Sequence, residues 1–436
     1  MKKDISSTSF SHSPALILVG GRSKVGKTSL VNYLIENFPQ LFSRPISFTT
    51  RTKRGTENND EYIFTTKRDM YEKQKKSEIL TIDESYGHLY SISRASIDDI
   101  LMSGKFAIKE VHPRNFDKIS RLMEPVITVL ITRSDMENCI TAEQEDESRI
   151  NDDIKFYDEY NELRSDIIIR TETNGDLEAT GNILSLKIKA ISATISQFPK
   201  PFRIDTFNEV GYSKVGRDFS EKSRITTNNF HDLSFQYFNR AFKDYLKKGE
   251  KCLEVGPGWG WLEKNFLFDS DSYSSVEISK EMISRSKQAD VQRMSVRNLH
   301  YPDNYFGIVI ASLGDPYFYP VALCEINRVL KPSGVFIFST PSREWSELLR
   351  QKSDHNKTTF ILSDNIQASV YSFTFKKIQL SKMLELCDFS VESLQEIKCT
   401  GISSDKLSRA ITEPAKVAGI SPNNLPILNF GIAKKR

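Results

Sequence analysis

Hydrophobic and polar positions divide the chain into two long alternating stretches separated by a polar interval. The first opens on an apolar run, Ala15-Leu-Ile-Leu-Val19, followed by the glycine-bearing loop Gly20 to Thr28 and a helix-forming stretch, Ser29 to Glu36. That order predicts strand, tight loop, helix. Strand-like and helix-like segments alternate as far as a long amphipathic segment, Leu177 to Phe198. Pro199-Lys-Pro201 interrupts any helix there. Residues 199–228 are polar, with glycine and serine, and read as a linker or mobile cap. A helical stretch, Leu233 to Leu246, leads to a second strand-to-glycine-loop transition at Lys251-Cys-Leu-Glu-Val-Gly256, and alternation resumes to the C-terminus. Such alternation predicts an α/β protein with parallel sheets. One domain is expected over 14–198 and a second over 229–436, and 436 residues exceed what one ordinary core holds. The likeness between GYSKVG at 211–216 and RSKVG at 22–26 is not a repeat, because no strand precedes it and Arg217 stands where lysine is needed.

The first loop carries the most specific chemistry. Gly21, Gly26, Lys27 and Thr28 fill the template G-x-x-x-x-G-K-[ST] without substitution, with Ser23 inside it. Such a loop turns backbone N–H groups toward one point, and the helix N-terminus adds partial positive charge. Lys27 is expected on the β- and γ-phosphates of ATP, and the Thr28 hydroxyl on Mg²⁺. Downstream, Arg51 and Arg54 flank a hydroxyl-rich stretch, Ser47 to Glu57, ahead of Tyr62. Guanidinium groups fork onto phosphate oxygens, so a second anion site is expected there.

Composition narrows the picture. Lysine and arginine total 60 against 57 acidic residues, a formal charge of +3, which argues against a dedicated nucleic-acid binder. Small-molecule or nucleotide partners are expected instead, and nothing in the chain signals an oligomeric state. Cys139, Cys252, Cys324, Cys387 and Cys399 are scattered without a C-x-x-C pair, so a reducing, cytoplasmic setting is expected. The basic, serine-rich start is not followed by a separate apolar segment, so neither a signal peptide nor a membrane span is expected.

Residues 15 to about 195 resemble guanylate kinase in the order of their motifs. These are the phosphate loop, Ser47-Phe-Thr-Thr-Arg51 with Arg54 and Glu57, Tyr62, Gly87 to Ser93 around Tyr90, Ser103-Gly-Lys105, and Tyr157 to Tyr160. The resemblance implies that Arg51, Arg54, Tyr62 and Tyr90 grip an acceptor phosphate, with Arg51 also acting in catalysis. Ser47, Glu57 and Glu110 complete the implied acceptor site. The family reads guanine with a glutamate, a hydroxyl residue and an aspartate, where this chain has Thr81, Ile92 and Glu110. A pocket stripped of paired polar groups loses its discrimination. The implied lid, Asp135 to Asn151, is acidic and holds a single arginine, Arg149, while His112 stands where the family carries an aspartate near Mg²⁺. Either the domain is a kinase for another phosphorylated acceptor, with Arg133 or Arg149 serving in the lid, or it binds nucleotide without turning it over.

The second half has a G-x-G-x-G loop, Gly256, Gly258 and Gly260, after a strand ending in Glu254 and Val255. A further strand, Ser274 to Ser279, carries Glu277 roughly twenty residues on, where a carboxylate can take both ribose hydroxyls of an adenosine. Those features alone would also suit NAD. The Arg328-Val-Leu-Lys-Pro-Ser-Gly334 turn and the closing strands Phe389–Lys398 and Leu425–Lys435 resemble class I S-adenosyl-L-methionine-dependent methyltransferases of the small-molecule type. The resemblance implies a Rossmann-like seven-stranded sheet with its final strand reversed. It places Glu254 and the three glycines around the methionine part, Glu277 with Ile278 on the ribose, and Val296 and Leu313 by the adenine. Ser295 stands where an acid often meets the adenine amino group. No Asn-Pro-Pro-Tyr loop follows the fourth strand, which disfavours DNA bases as acceptors. Asp315-Pro316 is expected as a helix start, and His231 and His300 as structural. The expected whole is a bifunctional methyltransferase and nucleoside-monophosphate-kinase-like fusion, or a methyltransferase regulated or scaffolded by an inactive guanylate kinase-like module.

Overall fold

The computed structural model describes residues 12–53, 61–85, 87–133, 156–157, 160–161, 164–171, 175–218, 224–286, 290–350, 356–363, 365–400 and 402–436. The chain divides into two compact units between Phe202 and Arg203.

In the first unit, β1 (Leu16–Gly21) is wholly buried and sits at the centre of a five-stranded sheet. Its neighbours are β7 (Phe106–Glu110), flanked by β2 (Phe42–Ser43), and β8 (Val126–Arg133), flanked by β9 (Ile167–Thr171). All four pairings are parallel. Apolar runs such as that of β1 suit a sheet covered on both faces. A smaller sheet holds β3 (Ser47–Thr49) between β4 (Tyr62–Phe64) and β6 (His88–Ile92), with β5 (Asp83–Ser85) beyond β6. The amphipathic segment forms the helix Leu177–Thr194, capped by Asp176, whose carboxylate accepts from the Glu178 and Ala179 amides. This shields two of the four donors that a helix start leaves open.

The second unit is built on a seven-stranded sheet. Its strands are β10 (Cys252–Val255), β11 (Tyr273–Glu277), β12 (Val291–Arg293), β13 (Phe306–Ala311), β14 (Leu330–Pro341), β17 (Phe389–Lys398) and β18 (Pro426–Lys435). They lie in the order β12-β11-β10-β13-β14-β18-β17. The first five run parallel, and β18 is antiparallel to both β14 and β17. The expected reversal is therefore present. A hairpin of β15 (Lys357–Ile361) and β16 (Gln367–Tyr371) stands apart from the sheet. The loops after β10, β11 and β13 all leave the carboxyl ends of the strands, on the edge where the strand order reverses and ligands of such sheets collect.

The interval read as a linker or cap holds helix on either side of residues that lie outside the described ones. Pro201 opens a helix, Pro201–Arg217, and proline suits a first helical position. Its inward stripe is Ile204, Asp205, Asn208, Gly211 and Val215. Three of those five are polar or glycine, so the stripe escapes a hydrophobic-periodicity reading. The helix expected from Leu233 begins earlier, at Ile225, and runs to Tyr245.

Candidate functional sites

The first-unit site begins at the end of β1. Gly26 adopts a left-handed conformation (φ 90°) that L side chains rarely take, and it stands at the N-cap of the helix Lys27–Asn37 without a side-chain cap. The opening amides of that helix have no side-chain acceptor at the cap, as an anion site needs. Lys27 Nζ donates to the carbonyls of Gly21 at 2.7 Å and Arg22 at 2.5 Å, which holds it over the loop. Thr28 is exposed and Ser23 half-buried. Arg133, at the end of β8, donates to the Lys24 carbonyl at 3.5 Å.

The small sheet gathers the expected acceptor residues. Ser47 pairs with Tyr62 in register, and Thr49 with Tyr90. Buried Arg51 lies 5.0 Å from the Tyr62 ring and 5.4 Å from that of Phe64. Burial pushes the Tyr62 hydroxyl up, with Glu110 and Glu61 adding to it. The Ser47 hydroxyl is buried without a hydrogen-bond partner. Ile92 packs into the core cluster of Leu16, Leu18 and Leu80. Glu110 accepts from Arg44 at 3.0 Å, and Arg44 also reaches Glu61 and Asn32. Lys109, on β7, is buried with its Nζ 4.8 Å from the Tyr62 ring, and desolvation pushes its pKa down. Arg44 and Lys109 had escaped the motif reading, although a lysine within the buried run Phe106–Glu110 was a visible signal. Arg54, Glu57 and Arg149 lie outside the described residues.

The second-unit site is a cavity of about 420 Å³ at the carboxyl edge of the sheet. Glu254, Gly256, Gly258, Glu277 and Leu313 line it. A narrow hollow of about 20 Å³ is lined by Glu277, Ile278, Val296, Ser295 and, from the helix Pro201–Arg217, Asp205 and Asn208. Gly260 lines neither. It caps the helix Trp261–Asn265 at φ 82°. Gly256, at φ 67°, is forced to be glycine twice over, since a Cβ there would fall 2.1 Å from the Tyr317 hydroxyl. Glu277 is buried, and its Oε1 accepts from the amides of Ile278 at 2.9 Å and Ser279 at 3.0 Å. Burial nevertheless pushes its carboxyl up to about 7. The Tyr273 hydroxyl donates to Glu254.

Further residues border the cavity and the hollow. Asp315 does not cap a helix, since Gly314 holds the N-cap position of its turn. Its carboxyl lines the cavity, where burial pushes it up to about 6 against the pull of Ser372 and Arg350. Asp205 accepts from Arg297 at 2.5 Å, Ser295 at 2.6 Å and Tyr319 at 3.1 Å. The helix Pro201–Arg217 thus places a carboxylate beside Ser295. Trp259, Trp261 and Tyr317 line the cavity, whereas Phe318 is pure core and Tyr319 borders the hollow.

The fold and these sites define a two-unit α/β architecture, a phosphate-loop unit followed by a seven-stranded sheet with a reversed last strand. Residues 13–190 match the family profile "Guanylate kinase", and residues 253–338 match the profile "Methyltransferase domain". The two matches fall on separate stretches of the chain, each less than half of its length. Among curated relatives it is 30% identical to the guanylate kinase of Chlamydia felis over 125 residues, 28% of this chain and 61% of that protein. It is 33% identical to guanylate kinase 1 of Arabidopsis thaliana over 96 residues, 22% of this chain and 25% of that protein. The chain thus spans less than two-thirds of the length of either relative. Among solved structures, guanylate kinase from Anaplasma phagocytophilum aligns with TM-score 0.34 and 21% identity, covering 44% of this chain and 99% of that one. A SAM-dependent methyltransferase from Methanosarcina mazei aligns with TM-score 0.33 and 15% identity, covering 45% and 96%. Among the described residues, no helix is long and apolar enough to cross a membrane.

Proposed function

We propose that the chain is a bifunctional transferase whose second domain methylates a small molecule from S-adenosyl-L-methionine, with a nucleotide or phosphorylated metabolite as the acceptor class. The observation that carries this reading is the pairing of Gly256 with Glu277 at one cavity. The first is a close-approach position with no room for a side chain, and the second is a buried carboxylate at the end of the next strand. These residues fit the donor. Gly256 and Gly258 line its methionine end, Glu277 accepts from the ribose hydroxyls, and Ile278, Val296 and Leu313 flank the adenine. Bound there, the donor supplies an electrophilic methyl group on a sulfonium. The chain itself orients the acceptor and excludes water. Incubating the protein with donor and a metabolite extract, and identifying by mass spectrometry which compound gains the mass of one CH₂, tests the activity.

The first domain, on this reading, binds ATP through Gly21, Ser23, Gly26, Lys27 and Thr28, with Mg²⁺ at Thr28, and a phosphorylated acceptor through Ser47, Arg51, Tyr62 and Tyr90. Its acceptor is not read as guanine. Ile92 belongs to the core, and Glu110 is engaged by Arg44. A second reading, an inactive binding module, draws support from His112, whose Nδ1 accepts from the Arg114 side chain at 3.0 Å where the family keeps a carboxylate. Nucleotide binding without phosphate transfer to any of a panel of monophosphates would favour that module.

A further inference from the structure

In the first domain, the registers Ser47–Tyr62, Thr49–Phe64, Ser47–Ile92 and Thr49–Tyr90 put these side chains on one face of the small sheet. Phe48 and Leu89, on the other face, join Met70 and Ile79 in a separate core. On the first face Tyr62, Ser47 and Ile92 form one row across the strands. Phe64, Thr49 and Tyr90 form the next, about 6–7 Å along. Two cations reach this face. Arg51 lies beside both Tyr62 and Phe64 and so spans the two rows. Lys109 comes from β7, where it pairs with Leu18 in register. Its stem shares the side of Leu16, Leu18 and Ala107, which pack with Ile92, and its ammonium emerges beside the Tyr62 ring. Lys109 is 6% exposed, and among the described residues no hydrogen bond or ion pair engages its Nζ. The Ser47 and Ser91 hydroxyls of the small sheet are sealed from any surface, and the Lys109 ammonium is not. Glu110 and Glu61, the acidic neighbours that favour its charged form, are both held by Arg44, at 3.0 Å and 2.6 Å. A desolvated ammonium is costly until an anion pairs with it.

We infer that the phosphorylated acceptor of the first domain carries a second acidic group, a carboxylate or another phosphate, and that Lys109 binds it. This rests on the reading of that domain as a phosphate-acceptor site. Arg51, Tyr62 and Tyr90 take the first phosphate, and the second acid lies toward Ile92. That end of the face offers little to a neutral base, since Ile92 belongs to the apolar core and the Ser47 hydroxyl is sealed. An ammonium only donates, so the ligand atom facing it is an acceptor. A neutral carbonyl oxygen would take the hydrogen bond and leave the buried charge uncompensated, whereas an anion supplies the counter-charge as well. Lysine suits either acid, because it acts as a compact point charge without the fixed fork of arginine.

The test titrates the full chain by calorimetry with two matched pairs of probes. Orotidine 5′-monophosphate differs from UMP by one carboxylate, and adenosine 3′,5′-bisphosphate differs from AMP by one phosphate. The wild type is expected to bind the more acidic member of at least one pair about tenfold more tightly or better. Which pair shows the preference tells carboxylate from phosphate. Lys109→Met, which keeps the apolar stem, is expected to abolish the preference by weakening only the more acidic member. Lys109→Arg, which restores a cation, is expected to recover part of it. A merely structural lysine would move both members of a pair alike. Equal affinities within both pairs, or a preference that survives in Lys109→Met, overturn the inference alone. Equal weakening of all the probes in Lys109→Met would put the ammonium on the shared phosphate and overturns it too. If the wild type binds none of the probes, the phosphate-acceptor reading fails and the inference falls with it.

Discussion

Arg297, with no exposed surface, donates from its Nε to the carboxylate of Asp205 at 2.5 Å, joining the loop after β12 to the helix Pro201–Arg217. Removing one partner of a buried ion pair strands the other charge in a low-dielectric interior. Asp205→Ala is therefore expected to cost about 3–5 kcal/mol of stability in urea unfolding. Asp205→Asn, which retains a hydrogen-bond acceptor, should cost less. Unaltered stability in Asp205→Ala would show that the pair does not carry the packing of this helix.

Gly256 is expected to tolerate no side chain. Alanine would have to adopt a left-handed backbone and displace the Tyr317 hydroxyl, 2.1 Å from the new methyl group. Gly256→Ala should lose at least about tenfold in donor affinity, or about 1.4 kcal/mol, by calorimetry. Tyr317→Phe, which removes the nearest clashing atom, should recover part of the loss in the double variant.

Glu277 makes two pH dependences of opposite sign. Burial raises its carboxyl from 4.5 to about 7. Between those values the folded chain holds a proton that the unfolded chain has released. Its contribution to stability is therefore fully present below about 4.5 and is lost as pH rises to about 7, at about 1.4 kcal/mol per pH unit. Asp315, raised from 3.8 to about 6, acts in the same direction over the lower part of that range. Donor binding runs the other way, because the carboxylate is the form that accepts two hydroxyl hydrogens. Affinity should rise about tenfold between about pH 6 and about pH 8, and Glu277→Gln should flatten that rise.

In the first domain, Lys27→Ala should weaken ATP binding by about 1.5–3 kcal/mol through lost charge-assisted hydrogen bonds. In a coupled assay, GMP should serve as acceptor no better than other monophosphates, because Ile92 is committed to the core and Glu110 to Arg44. A strong preference for GMP would contradict the altered acceptor site.

Both sheets were legible because their strands are apolar runs ending in glycine loops, as at Leu16–Gly21 and Cys252–Val255. The reversed last strand followed from the resemblance and lies where expected. The helix Pro201–Arg217 was not legible, since its buried stripe spends Asp205, Asn208 and Gly211 on Arg297, Tyr371 and the β16 backbone in place of an apolar core. Those partners lie up to 163 residues away along the chain. Asp315 opens a short 3-10 helix with Pro316 in its first turn, as Asp-Pro predicts, while Gly314 holds the N-cap and the Asp315 carboxyl faces Ser372, brought in by the hairpin. Lys109 was visible as a lysine in an apolar run and not as a cation beside Tyr62. Only the fold brings the two together.

The central claim is that the second domain cradles S-adenosyl-L-methionine through Gly256 and Glu277, and calorimetric titration of the donor into wild type and Glu277→Ala tests it most directly. Saturable binding to the wild type, weakened by about 1–3 kcal/mol in Glu277→Ala, is the predicted result. No binding to the wild type, or equal affinity in both proteins, would contradict it.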